Sequence, residues 1–263
     1  MNLSRRKYLT LGGLGFVGAS TSLLAKQIDG IGPNRGIAEK GSRGKQTCVN
    51  DAVMESSIED RLSLPKDFSG ESCSLIKDSF EGPYFTCAPS GGKKIAIAQT
   101  GQPLTVALRL VDSNCNPMPN GIVDIWSCNA QGYYSGYSND PNKRPPIVRA
   151  MLFGHVKPDM QERFCRGALR TDADGIAEFD TVYPGFYYGV PIHIHFKAHV
   201  DGVNLLTSQA NFNEIWNDRI LNLAPYNMPR PIERTLAQGR FPTMRVIERD
   251  ERLLAVLDLK VPD

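Results

Sequence analysis

A chain of 263 residues with a hydrophobic fraction of 41% is long enough to bury one large core and short for two domains. Charged residues at 22% and a formal net charge of +2 are ordinary for a soluble protein and give no reason to expect a nucleic-acid or membrane surface. The excess is local: Arg5, Arg6 and Lys7 lie in the first 25 residues, which hold no acid, and the rest has 27 basic against 28 acidic residues.

The N-terminus, MNLSRRKYLTLGGLGFVGASTSLLAKQ, places a basic start ahead of an interrupted apolar run and small residues. That is the pattern of a targeting segment, and the run is short for a stable membrane span. SRRKYL resembles the twin-arginine export signature. Residues 1–25 are therefore expected to be a signal, with a Sec signal or an uncleaved anchor as the alternatives, Ala19 and Ala25 as candidate cleavage points, and the mature protein periplasmic or secreted, without stable membrane insertion after processing. Residues 26–70, rich in Gly, Ser, Lys and Asp, read as a linker with at most a short helix near VMESSIEDRL. Residues 71–263 are expected to form the folded domain. Six cysteines, Cys48, Cys73, Cys87, Cys115, Cys128 and Cys165, favour disulfides in an exported chain, and their spacing does not suggest zinc.

From residue 103 the chain alternates. PLTVALRLVD sets Leu104, Val106, Leu108 and Leu110 against Thr105, Ala107 and Arg109, the pattern of a half-buried strand. GIVDIW, GIAEFDTV, IHIHFKAHV and LLAVLDLKV read as further strands, separated by turn sequences such as NPMPNG and TDADG. Only NFNEIWNDRILNL looks helical, and residues 135–164 read as a long loop excursion. Short strands between turns predict an all-β fold, an antiparallel β-sandwich or barrel with long loops.

Three of the four histidines fall within VPIHIHFKAH. On a strand, His193 and His195 point to the same face, about 6.6 Å apart along the chain, and can converge on one metal ion. His199 shares their parity but lies about 13 Å further along, and His155 sits in the long loop. Six of the nine tyrosines crowd into DIWSCNAQGYYSGY and TVYPGFYYGVP. Such clusters serve packing or sugar stacking. A strongly Lewis-acidic ion can also deprotonate phenols, and two tyrosinates with two imidazoles make a hard, anionic set suited to Fe³⁺.

The ordered set EGPYF, VDIWSCNAQGYYSG, RGALRTDADGIAEFDTVYPGFYYG and HIHF closely resembles the intradiol ring-cleavage dioxygenases, most of all their compact exported branch. The resemblance covers roughly residues 73–215. It implies one mononuclear non-haem Fe³⁺ per chain. It also implies a catechol-type substrate cleaved between its hydroxyl-bearing carbons, with both atoms of O₂ entering a muconate-type diacid. The G-x-Y-S pattern implies Tyr134, not Tyr133, as one ligand, and P-G-x-Y implies Tyr187, not Tyr188, as another. His193 and His195 complete the set. Tyr187 is implied to leave the ion and accept a catechol proton, and Gln209 to lie near the substrate ring. Tyr84 and Pro83 are implied as pocket walls, with core packing an equal role for Tyr84. The family usually carries an arginine where this chain has Val190. Arg149 or Arg166 then supplies the charge, or Val190 forms an apolar wall for a larger or more electron-rich substrate, or the iron serves other chemistry such as that of an oxidase or cyclase. A non-enzymatic β-sandwich binding aromatics or sugars is the remaining alternative. The resemblance also allows a homo-oligomer, although nothing in the sequence marks an interface.

Overall fold

The computed structural model describes residues 53–56, 62–65, 68, 73–88, 92–143 and 156–262. Eight strands and one helix follow in chain order: β1 (Pro103–Val111), β2 (Ile122–Trp126), β3 (Arg166–Arg170), β4 (Ile176–Val182), β5 (His193–Val200), β6 (Val203–Asn211), α1 (Glu214–Leu221), β7 (Arg245–Glu248) and β8 (Leu253–Lys260). They form two four-stranded sheets, ordered β4-β1-β8-β7 and β3-β2-β5-β6. The antiparallel expectation holds for every strand pair except one, since β8 lies parallel to β1.

The core lies between the sheets. Leu104, Val106, Leu108 and Leu110 of β1 meet Val123 and Ile125 of β2 and Ile194, Phe196 and Ala198 of β5, as the period of two requires. Because these positions face inward, Trp126, His193, His195 and Lys197 must face outward, and the first sheet-long consequence is a polar outer face on β3-β2-β5-β6. The other sheet's outer face packs Ala107, Ile176, Leu254 and Val256 against Phe68. Helix α1 begins at Asn213, whose side chain accepts the Ile215 amide at 2.8 Å.

Three strands escape the alternation test. β3 is short, and its inward positions include Gly167, where a Cβ would meet Ile95 at 2.6 Å. β6 faces inward with Leu206, Ser208 and Ala210, which hides the apolar signal, and β7 is only four residues long and half-buried. The helix expected near residue 53 is not seen in the part described: Met54 and Ser56 are extended and bond to Arg170 of β3. Among the described residues no helix is long and apolar enough to cross a membrane. The expected signal segment, Cys48 and most of the linker lie outside the described residues.

Residues 73–88 form a strap that runs past the free edge of β6 and then crosses the outer face at His195 of β5. The Ser79 amide donates to the Thr207 carbonyl at 2.7 Å, the Thr207 amide to Asp78 Oδ1 at 2.9 Å, and Ser208 Oγ to the Lys77 carbonyl at 3.0 Å. Both flanks of the strap are cross-linked: Cys73 to Cys115, with Cα atoms 6.1 Å apart, and Cys87 through a second disulfide. The expectation of disulfides fails for Cys128 and Cys165, which are buried thiols. Cys128 lies under the site loops with its Sγ 3.4 Å from the Gly185 carbonyl, and burial pushes the two thiols up to about 12 and about 11.

Candidate metal centre

Strand register places Arg166, Trp126, His195 and Gln209 in one transverse row across β3, β2, β5 and β6. Residues paired in register share a face, so the row presents all four side chains on the sheet's outer side. Trp126 lies flat against the His195 ring, with centroids 5.0 Å apart and planes 5° apart. His193, two residues before His195, turns its ring nearly perpendicular, at 89° and 4.6 Å between centroids.

The histidines are prepared as ligands. Their Nε2 atoms stand 3.0 Å apart, about the spacing of two neighbouring nitrogens each about 2.1 Å from a shared ion. His193 Nδ1 lies 2.7 Å from the Pro191 carbonyl, to which it donates, so its Nε2 keeps the lone pair. Burial holds His193 below, and His195 well below, the ordinary imidazole range; for His195 the neighbouring His193 and Arg166 act the same way. Both rings are therefore neutral at pH 7, the form that binds metal.

No trio of His, Cys, Asp or Glu among the described residues could hold a metal ion. Two phenols stand beside this pair, the ones the resemblance implies. Tyr187, from the β4–β5 connection, has its ring centroid 6.0 Å from His193. Tyr134, from the β2–β3 connection, lies 5.2 Å from Tyr187 and at 81° to it. Both are buried, and the Tyr134 hydroxyl has no hydrogen bond of good geometry, although Tyr187 is near enough to perturb it. Burial raises both phenols far above pH 7. A buried phenol without a partner is costly, and a trivalent cation that takes its proton's place removes that cost. The donor set thus fits a hard ferric ion.

The strap roofs this set. Tyr84 stacks on Tyr134 at 4.9 Å and also meets Tyr137 and Tyr187. Burial, helped by Tyr137, lifts the Tyr84 phenol to about 12. Pro83 is buried beside it, its carbonyl accepting the Val156 amide at 3.1 Å. Val156 and Val190 close the aromatic cluster as half-buried aliphatic walls. Gln209 is half-buried directly beside His195. Tyr133 is exposed and Tyr188 half-buried. Arg149 and His155 lie outside the described residues.

The pattern of single residues gave no role to the groups that hold the roof down. Lys197 is fully buried, ion-paired to Glu81, and sits over the Phe85 ring at 3.7 Å. Phe85 in turn meets Trp126 at 4.7 Å, and its carbonyl accepts the Tyr137 hydroxyl at 2.7 Å. The only sequence signal was parity: Lys197 is two residues past His195 on the same strand face.

Gly82 is where strap and ligand touch. Its φ is +78°, and a Cβ there would lie 3.2 Å from His195 Cε1 and 3.3 Å from Nε2. Gly82→Ala is expected to destabilise by about 1–3 kcal/mol through backbone strain and also to lower the iron retained per chain. Gly202, with φ of +75° and open space around it, supplies the control. Gly202→Ala should show a similar shift in thermal unfolding with iron content unchanged; equal iron losses in both would mean Gly82 acts on the fold alone.

His199 does not join the set. It is buried against Ile122, and among the described residues neither ring nitrogen has a hydrogen-bond partner. Burial first, then Lys197, lowers it to about 3, with Glu81 opposing. The native state therefore binds fewer protons than the unfolded chain between about pH 6.5 and 3, and stability falls as pH drops through that window. His199→Gln should flatten the fall by up to about 1.4 kcal/mol per pH unit, read from unfolding of the iron-free protein between pH 7 and 4. Parallel curves for the two proteins would contradict it.

A family model described as Dioxygenase matches residues 81–226. The intradiol ring-cleavage dioxygenase from Tetranychus urticae is 30% identical, with a TM-score of 0.62 covering 72% of this chain and 95% of that one. Catechol 1,2-dioxygenase 1 of Acinetobacter lwoffii is 26% identical over 166 residues, 53% of this chain and 48% of that protein. Chlorocatechol 1,2-dioxygenase of Pseudomonas sp. strain P51 is 26% identical over 157 residues, 56% and 59% of the two chains. The chain thus spans about half the length of the catechol dioxygenases it matches.

Proposed function

The chain belongs to the intradiol ring-cleavage dioxygenase family, and from that premise we propose that it is an exported ferric enzyme that opens catechol-type rings between their hydroxyl-bearing carbons. Catechol and O₂ combine into a muconate-type diacid, with no atom left over. One observation carries this: two buried phenols and two neutral imidazoles, their Nε2 atoms 3.0 Å apart, gather on one sheet face. When bound, one ferric ion per chain supplies Lewis acidity toward both catechol oxygens and a path for ring electrons to O₂.

Tyr134, Tyr187, His193 and His195 hold the ion. Tyr187 Oη takes a catechol proton as the substrate enters. Tyr84, Pro83 and Val190 enclose the ring and exclude water, and the Gln209 amide, beside His195, orients it. The disulfide at Cys73–Cys115 suits an oxidising compartment, which supports reading residues 1–25 as an export signal. The aliphatic wall at Val190 favours a second reading, a ferric-tyrosinate protein with other chemistry.

The iron-loaded protein, in air with catechol, separates the two. A tyrosinate-to-iron charge-transfer band together with oxygen uptake and muconate formation supports the dioxygenase. The band without turnover of any catechol supports the second reading, and absence of the band from iron-loaded protein refutes both.

A further inference from the structure

On one side of the sandwich the sheets are linked by the short turn between β3 and β4. On the other side the edge strands are β6 and β7, and beside β7 a cleft of about 840 Å³ opens. The strap walls it at residues 74–77, α1 at Ile215 and Trp216, and the segment before β7 at Phe241. No residue of the metal centre lines it.

The floor is apolar. Ile76, Met244 and Leu257 are buried core residues, and Trp216 and Val246 pack on the same core. The walls stay apolar out to solvent, with Ile215 78% and Leu75 63% exposed. Single exposed aliphatic residues need no explanation, but these converge on one cavity of the size that takes a small molecule.

The charges are one-sided. Lys77, Arg240 and Arg245 line the cleft, against one acid, Asp258. That acid is already held from outside the cleft: Arg109 donates to its two oxygens, from Nε at 2.6 Å and from Nη2 at 2.9 Å. Lys77 and Arg240 are exposed, and among the described residues neither forms an ion pair. Arg240 lies over the ring of its neighbour Phe241 at 5.2 Å, a contact that keeps its charge at the rim. A neutral hydrocarbon would leave these cations unused, and an inorganic anion would leave the floor wet. A molecule with an apolar body and one anionic head meets both.

We propose that this cleft is a second binding site, separate from the metal centre, for a small amphipathic organic anion. Its aromatic or short aliphatic body lies on Ile76, Trp216, Met244 and Leu257, and its carboxylate or sulfonate head faces Lys77 and Arg240. The site does not depend on the ferric reading above, although one strap borders both places: residues 74–77 wall the cleft, and Tyr84 roofs the metal centre.

Titration of anilinonaphthalene sulfonate into the iron-loaded full-length protein tests it. This dye joins an apolar body to one sulfonate and fluoresces strongly when it leaves water. One molecule per chain is expected to bind. Lys77→Glu with Arg240→Glu should weaken binding about tenfold or more, because two rim attractions become repulsions, and should remove most of its salt dependence. Ile215→Glu, on the apolar wall, should weaken it as well. All three positions are exposed, so thermal unfolding and iron content should match wild type. Lys94→Glu with Lys157→Glu makes the same change in net charge at exposed positions outside the cleft and should leave affinity within about twofold. Equal weakening by the two pairs means attraction to net charge alone and overturns the proposal. Binding that does not saturate overturns it too, as does binding that catechol displaces, which puts the dye at the metal centre. A wild-type chain that sediments as a dimer and falls to a monomer in the Lys77 and Arg240 double variant gives the face to a second copy, and the proposal fails.

Discussion

Replacing His195 by alanine is expected to reduce retained iron to background and ring cleavage to below detection while leaving the iron-free fold intact. The loss should exceed the roughly 10–100-fold that follows removal of a group supporting a metal ligand, because in the proposed site His195 Nε2 is itself a ligand. The fold survives for a specific reason. His195 Nδ1 is buried without a partner, so truncation also removes an unsatisfied polar atom. Iron per chain by metal analysis and thermal unfolding of the iron-free protein check both halves. A variant that keeps stoichiometric iron and the charge-transfer band removes His195 from the site.

The largest stability effect is expected at Trp126. Its side chain is among the largest that are fully buried, and it is packed between two functional parts, stacked on His195 and edge-on to Phe85 of the strap. Trp126→Ala should cost about 3–5 kcal/mol, lowering the melting temperature on the order of 10 °C for a domain of this size. Iron retention should fall as well, since His195 loses the plane that fixes its ring and the strap loses its floor. Trp126→Phe, which keeps an aromatic contact, should recover most of the melting temperature. A melting temperature within about 2 °C of wild type in the alanine variant would show that the stack carries little.

The legible part of this molecule was the part with strict periodicity. β1, β2, β4, β5 and β8 each bury every second residue in one core, so alternation marked them, and parity alone set His193 and His195 on one face. β3 and β6 were hidden because their inward residues are Gly167, Ser208 and Ala210, small or polar side chains that fit beneath larger neighbours. Tyr134 and Tyr187 could be chosen over Tyr133 and Tyr188 only by resemblance, because adjacent tyrosines in a loop have no period to separate them. Arg166 could be named but not placed: its reach depends on the register of β3 with β2, a pairing between residues 40 positions apart along the chain. The strap's grip through Glu81 and Lys197 is likewise a contact across distant sequence.

The two cross-links that flank the strap have a consequence for how the site is put together. Tyr134, Tyr187, His193 and His195 all stand on the sheet or on its own connecting loops, outside residues 73–88. Without the cross-links the roof is held by non-covalent contacts alone: hydrogen bonds to β6, Val156 and Tyr137, the Glu81–Lys197 pair, and the packing of Tyr84 and Phe85 on Tyr134 and Trp126. The cross-links at Cys73 and Cys87 fasten the strap covalently at both flanks. If the centre takes up iron as proposed, loading and fastening are separable steps, and a strap cross-linked after loading would slow the metal's escape.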